Sequence, residues 1–188
     1  FGAASICPEY RFLQKGIEYS DSWCFNPHKW LLTTFDCNTM WVKDRYKLTN
    51  ALGILPSYLE NNATAAGNVI DYRDWQIPLG RRFRALKLWL TIRHHGARGL
   101  QGFIRHQISL SKKLEDGIKN LSQFEIACPR SLSLNVFKHR KGNAKTREAL
   151  DFINKQKEVF VTSTDFQGTL LIRACVGQFK TEKKHIEK

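Results

Sequence analysis

The chain is organised around residues 21–43, DSWCFNPHKWLLTTFDCNTMWVK, with Lys29 near the centre of the stretch. A lysine directly before Trp30-Leu31-Leu32 is unusual, because most lysines are solvated and this one enters an apolar run typical of a buried strand. Burial would favour the neutral amine, which can attack a carbonyl group. The residues alone leave two readings open: a reactive amine, or an amphipathic lysine that reaches from a strand end into solvent.

The order of residues in this stretch resembles that of a known protein family. Asn26-Pro27-His28-Lys29-Trp30, with Ser22 seven residues before the lysine, resembles the pyridoxal-phosphate lysine motif of the group II amino-acid decarboxylases. The resemblance extends over nearly the whole chain, through residues 6–9, 71–73 and 75–84. It is strongest to the animal aromatic-L-amino-acid decarboxylase branch, and so many matched positions are more specific than one short motif.

The resemblance implies an α/β fold in two parts. Residues 1–86 would form the C-terminal part of the large domain of a fold-type I pyridoxal-phosphate enzyme, similar to aspartate aminotransferase, with the family's catalytic loop at about 53–68. Residues 87–188 would form the small C-terminal α/β domain. The chain starts without methionine and stops where the family continues a final helix, so we expect a fragment of a longer enzyme that is inactive alone.

The resemblance also implies a cofactor site. Lys29 would hold pyridoxal 5'-phosphate covalently through the aldehyde of the cofactor, with Asn26 and His28 near the cofactor phosphate. Asn26 also fits a plain turn residue before proline, and His28 a packed imidazole. The family's aspartate that protonates the pyridine ring, and the histidine that stacks on it, lie upstream of Phe1 by the same resemblance.

Four more residues are predicted to face the substrate. Tyr58 falls on the family's catalytic tyrosine, without a gap from Lys29. Phe35, Leu79 and Gly80 would line the substrate pocket, although each also fits a core or turn position. Histidine-specific relatives tend to carry a serine at the position of Gly80, so the glycine favours a larger aromatic substrate.

The implied reaction is decarboxylation of an aromatic L-amino acid, of the dopa, 5-hydroxytryptophan or tyrosine type, to the amine and carbon dioxide by a homodimer. One alternative is an aromatic aldehyde synthase of the same family, but such enzymes typically carry phenylalanine where Tyr58 stands. A second alternative is a truncated, non-catalytic isoform that acts only by dimerisation.

Composition narrows the partners and the compartment. The net charge is +13, but the basic residues are spread along the chain, and the densest cluster, residues 81–84, precedes a helical pattern. We therefore expect no nucleic-acid partner and interpret this cluster as a solvated or ion-paired face, with a phosphate or carboxylate anchor as the alternative. Five cysteines without CxxC spacing predict neither a disulfide framework nor a metal site and favour a reduced, cytoplasmic compartment. No run of membrane-spanning length and no signal peptide is visible, so no membrane partner is expected.

Periodicity predicts the remaining elements. Residues 31–42 predict a strand pair, or a strand with a turn at 36–38, and residues 44–48 a short helix. A helix is predicted from Arg81, broken at Gly96 and Gly99, and a second one ends near Asn120. The last third then predicts strands at 124–128 and 132–139 and a helix at 143–153 that Asn143 caps. A strand hairpin at 159–176 and a helix from residue 181 follow. The order β-β-α-β-β-α predicts a small domain with an antiparallel sheet.

Overall fold

The computed structural model describes residues 2–54 and 70–187 and separates into two compact units, Gly2–His94 and His95–Lys188. The first unit contains the stretch around Lys29. The second contains the strands of the last third of the chain. The predicted domain boundary, between residues 86 and 87, stays a prediction about the parent enzyme.

The first unit is built from short elements. In chain order they are three 3-10 helices (Gly2–Ile6, Pro8–Gln14, Ile17–Tyr19), β1 (Ser22–Phe25), α1 (Pro27–Trp30), β2 (Thr39–Val42), α2 (Arg45–Leu52) and a 3-10 helix at Tyr72–Trp75. Asp44 caps α2, because its carboxylate accepts hydrogen bonds from the Tyr46 and Lys47 backbone N–H groups at 2.9 and 3.4 Å. The short helix predicted from residue 44 is confirmed.

Strands β1 and β2 form an antiparallel ribbon that flanks the Lys29 turn. Trp23 lies directly opposite Trp41, with ring centroids 5.0 Å apart, and Phe25 stacks on Trp41 at 5.8 Å. Such cross-strand aromatic pairs stabilise a two-stranded ribbon, which is only marginally stable by itself. Of the strand structure predicted for residues 31–42, the strand after the turn is confirmed at Thr39–Val42, and the strand predicted before the turn is wrong. Residues 31–38 instead form a loop that returns to α1.

Helix α3 spans Arg84–Asn120 and begins in the first unit. Gly96 interrupts it with φ 66° and ψ 167°, a conformation that glycine adopts without a steric penalty. The predicted break at Gly96 and the end at Asn120 are confirmed. The predicted break at Gly99 is wrong, because a helix interior tolerates a single glycine at about 1 kcal/mol. The helix starts at Arg84 rather than at Arg81.

The second unit follows the predicted order. After α3 come β3 (Phe124–Ile126), β4 (Leu134–His139), α4 (Asn143–Lys155), β5 (Thr162–Phe166), β6 (Thr169–Cys175) and α5 (Lys183–Ile186). The four strands form one antiparallel sheet in the order β3-β4-β6-β5. Its core is a cluster of buried side chains from α3, α4 and the sheet: Ile118, Phe137, Leu150, Ile172 and Ala174.

Asn143 is not the N-cap of α4, as predicted, but its first residue, after Gly142. Its side-chain amide donates to the Gly168 carbonyl and accepts from the Leu170 N–H, both at 2.9 Å. Gln167 and Gly168 form the two-residue turn between β5 and β6, with φ 51° and 76°, which confirms the predicted hairpin. Asn143 therefore fastens the hairpin to the start of α4 instead of capping the helix.

Candidate active site

Lys29 lies in a single helical turn, α1, and its side chain is exposed, so the prediction of a lysine inside a buried strand is wrong. Proline fits the first turn of a helix, because its ring fixes φ and it has no N–H to satisfy. Backbone bonds from Lys29 N to the Asn26 carbonyl, 3.0 Å, and from Leu31 N to the Pro27 carbonyl, 3.2 Å, close the turn. The turn buries Trp30 and leaves the amine of Lys29 accessible.

Asn26 joins the turn to the β1–β2 ribbon. Its backbone is extended, as expected before a proline, and its side-chain oxygen accepts a hydrogen bond from Asn38 Nδ2 at 2.9 Å. Asn38 Nδ2 also lies 3.2 Å from the Phe25 carbonyl. Among the described residues, the Asn26 NH₂ group donates no hydrogen bond. Asn26 is thus held close to Lys29, and the two N–H donors of its side-chain amide can bind a ligand.

The imidazole of His28 is held by the loop that follows α1. Its Nδ1 lies 2.7 Å from the Cys37 carbonyl oxygen and 3.0 Å from the Cys37 backbone nitrogen. The shorter contact favours the tautomer with hydrogen on Nδ1, which donates to the carbonyl. The ring of Phe35 meets the imidazole edge-on, with centroids 4.8 Å apart. The Nδ1 side of the ring is therefore occupied by the protein, and Nε2 forms no hydrogen bond with a described residue.

Asp36 anchors this loop to the basic segment that leads into α3. Its carboxylate contacts the Arg82 guanidinium, accepts a hydrogen bond from Arg84 Nε at 3.1 Å and lies 4.0 Å from Lys87 Nζ. Cys37, which is buried, places its Sγ 4.0 Å from the Arg84 carbonyl. Partial burial raises the pKa of Asp36, but its hydrogen bonds, to its own backbone and to Arg84, and the charges of Arg82 and Arg84 outweigh this and lower it. The interpretation of residues 81–84 as an ion-paired face is confirmed for Arg82 and Arg84.

The predicted substrate residues are exposed. Phe35 and Leu79 are 78% and 75% exposed, and an added methyl group at Gly80 would meet nothing within 4 Å. No hydrogen bond or ring contact in the described part of the chain joins Leu79 or Gly80 to the Lys29 turn. The ion pair between Arg82 and Asp36 nevertheless brings the segment that contains Leu79 and Gly80 near Phe35. Gly80 is two residues from Arg82, and Phe35 directly precedes Asp36. Tyr58 lies outside the described residues.

Sequence reasoning missed Asp36 and Cys37 as parts of the site. The sequence places both in a turn at residues 36–38, since Asp and Asn are frequent turn residues. Their partners are nine residues upstream, at His28, and 46 or more residues downstream, at Arg82 and Arg84. No local pattern carries such pairings.

Comparison with known proteins identifies the family. The sequence pattern of the pyridoxal-dependent decarboxylase conserved domain matches residues 1–140. The chain belongs to this family. The predicted family and the predicted cofactor class are thereby confirmed, while the roles assigned to single residues stay predictions.

The curated relatives of this chain include decarboxylases and an aldehyde synthase. It is 44% identical to phenylacetaldehyde synthase of Arabidopsis thaliana, 42% to tryptophan decarboxylase 2 of Oryza sativa subsp. japonica and 41% to aromatic-L-amino-acid decarboxylase of Rattus norvegicus. Each match covers 99% of this chain and 39% of the relative. The chain therefore spans about two fifths of the length of these proteins.

Solved structures confirm the fold class. The Oryza sativa protein TDC, solved with PLP and tryptamine, superposes with a TM-score of 0.91 at 37% identity and covers 99% of this chain, which covers 40% of it. The 4-hydroxyphenylacetaldehyde synthase of Rhodiola rosea has a TM-score of 0.87 at 32% identity, with 99% and 38% covered. The chain thus has the predicted α/β fold of pyridoxal-phosphate enzymes.

The residues around Lys29 fit this cofactor. An aldehyde requires an accessible amine, and a phosphate requires hydrogen-bond donors. Lys29 supplies the exposed amine, and Asn26 has an NH₂ group that no described residue uses. Within residues 2–54 and 70–187, no three His, Cys, Asp or Glu side chains gather in a way that could hold a metal ion, and no helix is long and apolar enough to cross a bilayer.

Proposed function

We propose that the chain is part of a pyridoxal 5'-phosphate-dependent decarboxylase that converts an aromatic L-amino acid, of the dopa, 5-hydroxytryptophan or tyrosine type, to its amine and carbon dioxide. The observation that carries the proposal is the exposed amine of Lys29, held in a closed turn that begins after Asn26 and also contains His28. Because the chain spans about 39% of the curated relatives, the activity belongs to the whole protein.

Each residue of the site has a defined task in this proposal. Lys29 would bind the cofactor covalently, Asn26 would donate hydrogen bonds to its phosphate through its NH₂ group, and His28 would lie near that phosphate. When bound, pyridoxal phosphate supplies the sink for the electron pair that carbon dioxide leaves behind at the alpha carbon. Tyr58 would then deliver a proton to that carbon while the loop excludes water.

The residues that would meet the side chain of the amino acid favour an aromatic substrate. Phe35 presents an exposed ring that touches His28 edge-on, which suits an aromatic substrate lying beside the cofactor. The space around Gly80 is open, and a serine there would narrow it. These features support an aromatic substrate over histidine.

An aromatic aldehyde synthase is the second candidate function, because the chain is as similar to phenylacetaldehyde synthase as it is to tryptophan decarboxylase 2, at 44% and 42% identity. Overall identity therefore does not separate the two activities. Tyr58 favours the decarboxylase, since aldehyde synthases of the family typically carry phenylalanine at this position.

We also propose that the whole protein is a homodimer, on the basis of the family resemblance, and that it is cytoplasmic, on the basis of the cysteine pattern.

The proposed reaction is tested by assaying the full-length polypeptide with pyridoxal phosphate and, separately, dopa, 5-hydroxytryptophan, tyrosine and histidine. We expect carbon dioxide and one equivalent of amine from at least one aromatic substrate, and no histamine. Residues 1–188 alone should release no carbon dioxide, because by the family resemblance the residues that support the pyridine ring lie upstream of Phe1. Turnover by the 1–188 chain at the full-length rate, or turnover of histidine alone, would contradict the proposal.

A further inference from the structure

One charged side chain connects the predicted cofactor-binding turn to a distant part of the first unit. Asp36 lies in the loop after α1, and its carboxylate is the meeting point of Arg82, Arg84 and Lys87. The Asp36 side chain is 33% exposed, and Arg84 and Lys87 are 34% and 28% exposed, so these groups are partly shielded from solvent. A single carboxylate with three cationic partners is a better-defined anchor than an isolated surface ion pair.

Both neighbours of Asp36 touch the same imidazole. Phe35 packs edge-on against His28, and the backbone of Cys37 contacts His28 Nδ1 through its carbonyl and its N–H group. Arg84 reaches this segment twice, with its guanidinium on Asp36 and its carbonyl near Cys37 Sγ. The orientation of the His28 ring is thus set by a three-residue segment whose central residue is fixed by arginines.

We propose that Asp36 is a positioning residue: by anchoring residues 35–37 to Arg82 and Arg84, it holds the His28 imidazole, and with it the Lys29 turn, in the geometry that binds the cofactor. The inference rests on the proposed function, because it requires a cofactor at Lys29. Asp36 itself need not touch cofactor or substrate. Loss of its charge would release the segment, let the imidazole rotate and misplace the group beside Lys29.

The test is a titration of the full-length apoprotein with pyridoxal phosphate, followed by absorbance and by the circular dichroism that an asymmetric site induces in the bound cofactor. Asp36→Asn should raise the apparent Kd about 10-fold and weaken the induced band at saturation. Asp36→Glu, which restores the carboxylate, should lie closer to the wild type in both measurements.

Glu125→Gln is the matched control. Glu125 is 34% exposed and pairs with two cations, Lys138 at 3.4 Å and Arg140 at 2.9 Å, in the second unit. The Glu125→Gln variant should change the thermal stability about as much as Asp36→Asn does. It should leave the Kd for pyridoxal phosphate and the induced circular-dichroism band unchanged. If Asp36→Asn binds the cofactor like the wild type, or if Glu125→Gln weakens binding equally, Asp36 has no positioning role.

Two further variants keep the outcome decisive. If Asp36→Asn does not fold, the double variant Arg82→Gln/Arg84→Gln removes the anchor from the other side, and wild-type cofactor binding by it would overturn the inference. Lys29→Ala separates this inference from the proposed function. A covalent cofactor retained by Lys29→Ala refutes the site itself, whereas loss of that cofactor together with wild-type behaviour of Asp36→Asn refutes only the role of Asp36.

Discussion

Lys29→Ala in the full-length protein should abolish covalent retention of pyridoxal phosphate and lower carbon dioxide release by about 1,000-fold or more. The amine is the group that would attack the aldehyde of the cofactor, and alanine offers no replacement. The substitution should not damage the fold, because the Lys29 side chain is exposed, its turn is closed by backbone hydrogen bonds, and alanine is the best helix former.

The measurement combines cofactor absorbance after dialysis, carbon dioxide release and thermal unfolding. Lys47→Ala is the matched control, since Lys47 is an exposed lysine on α2 of the same unit. It should behave like the wild type in all three measurements. Carbon dioxide release by Lys29→Ala at the wild-type rate would show that another amine carries the reaction.

Tyr58→Phe should change the product rather than stop the reaction. The substitution keeps the ring and removes the acidic hydroxyl. Carbon dioxide should therefore still leave, but protonation of the alpha carbon should be slower. We expect amine formation to fall by about 100-fold. In air, one molecule of dioxygen and one of water would be consumed per turnover, and an aromatic aldehyde, ammonia and hydrogen peroxide would replace the amine.

Amine, aldehyde and peroxide are measured in air and again without oxygen, where the aldehyde should disappear. Tyr19→Phe is the matched control, because Tyr19 is 84% exposed and lies outside the predicted loop. Its products should equal those of the wild type. Unchanged amine output by Tyr58→Phe, with no aldehyde in air, would show that Tyr58 is not the proton donor and would revive the question of which activity the protein has.

Local sequence patterns predicted the second unit well. The order β-β-α-β-β-α, the hairpin within residues 159–176 and the interruption at Gly96 all follow from periodicity and from the backbone freedom of glycine. Asn143 was misplaced by one residue, and the reason is not local. Its amide binds the hairpin 25 residues downstream, a contact that no capping pattern contains.

The candidate site was predictable only in part. The resemblance identified the lysine, but the apolar residues after Lys29 predicted a buried strand, because a run of three cannot distinguish a strand from a helical turn. The structure buries Trp30 and Leu31 through a turn and leaves Lys29 outside. The anchor at Asp36 could not be predicted, since its cationic partners follow 46 to 51 residues later.

The cofactor of the full-length protein should be bound covalently to Lys29. Borohydride reduction of the full-length holoprotein makes the bond between lysine and cofactor permanent, and peptide mapping then locates the label. The label is expected on the peptide that contains Asn26-Pro27-His28-Lys29, on Lys29 itself and in about one equivalent per chain. A label on any other lysine would contradict it.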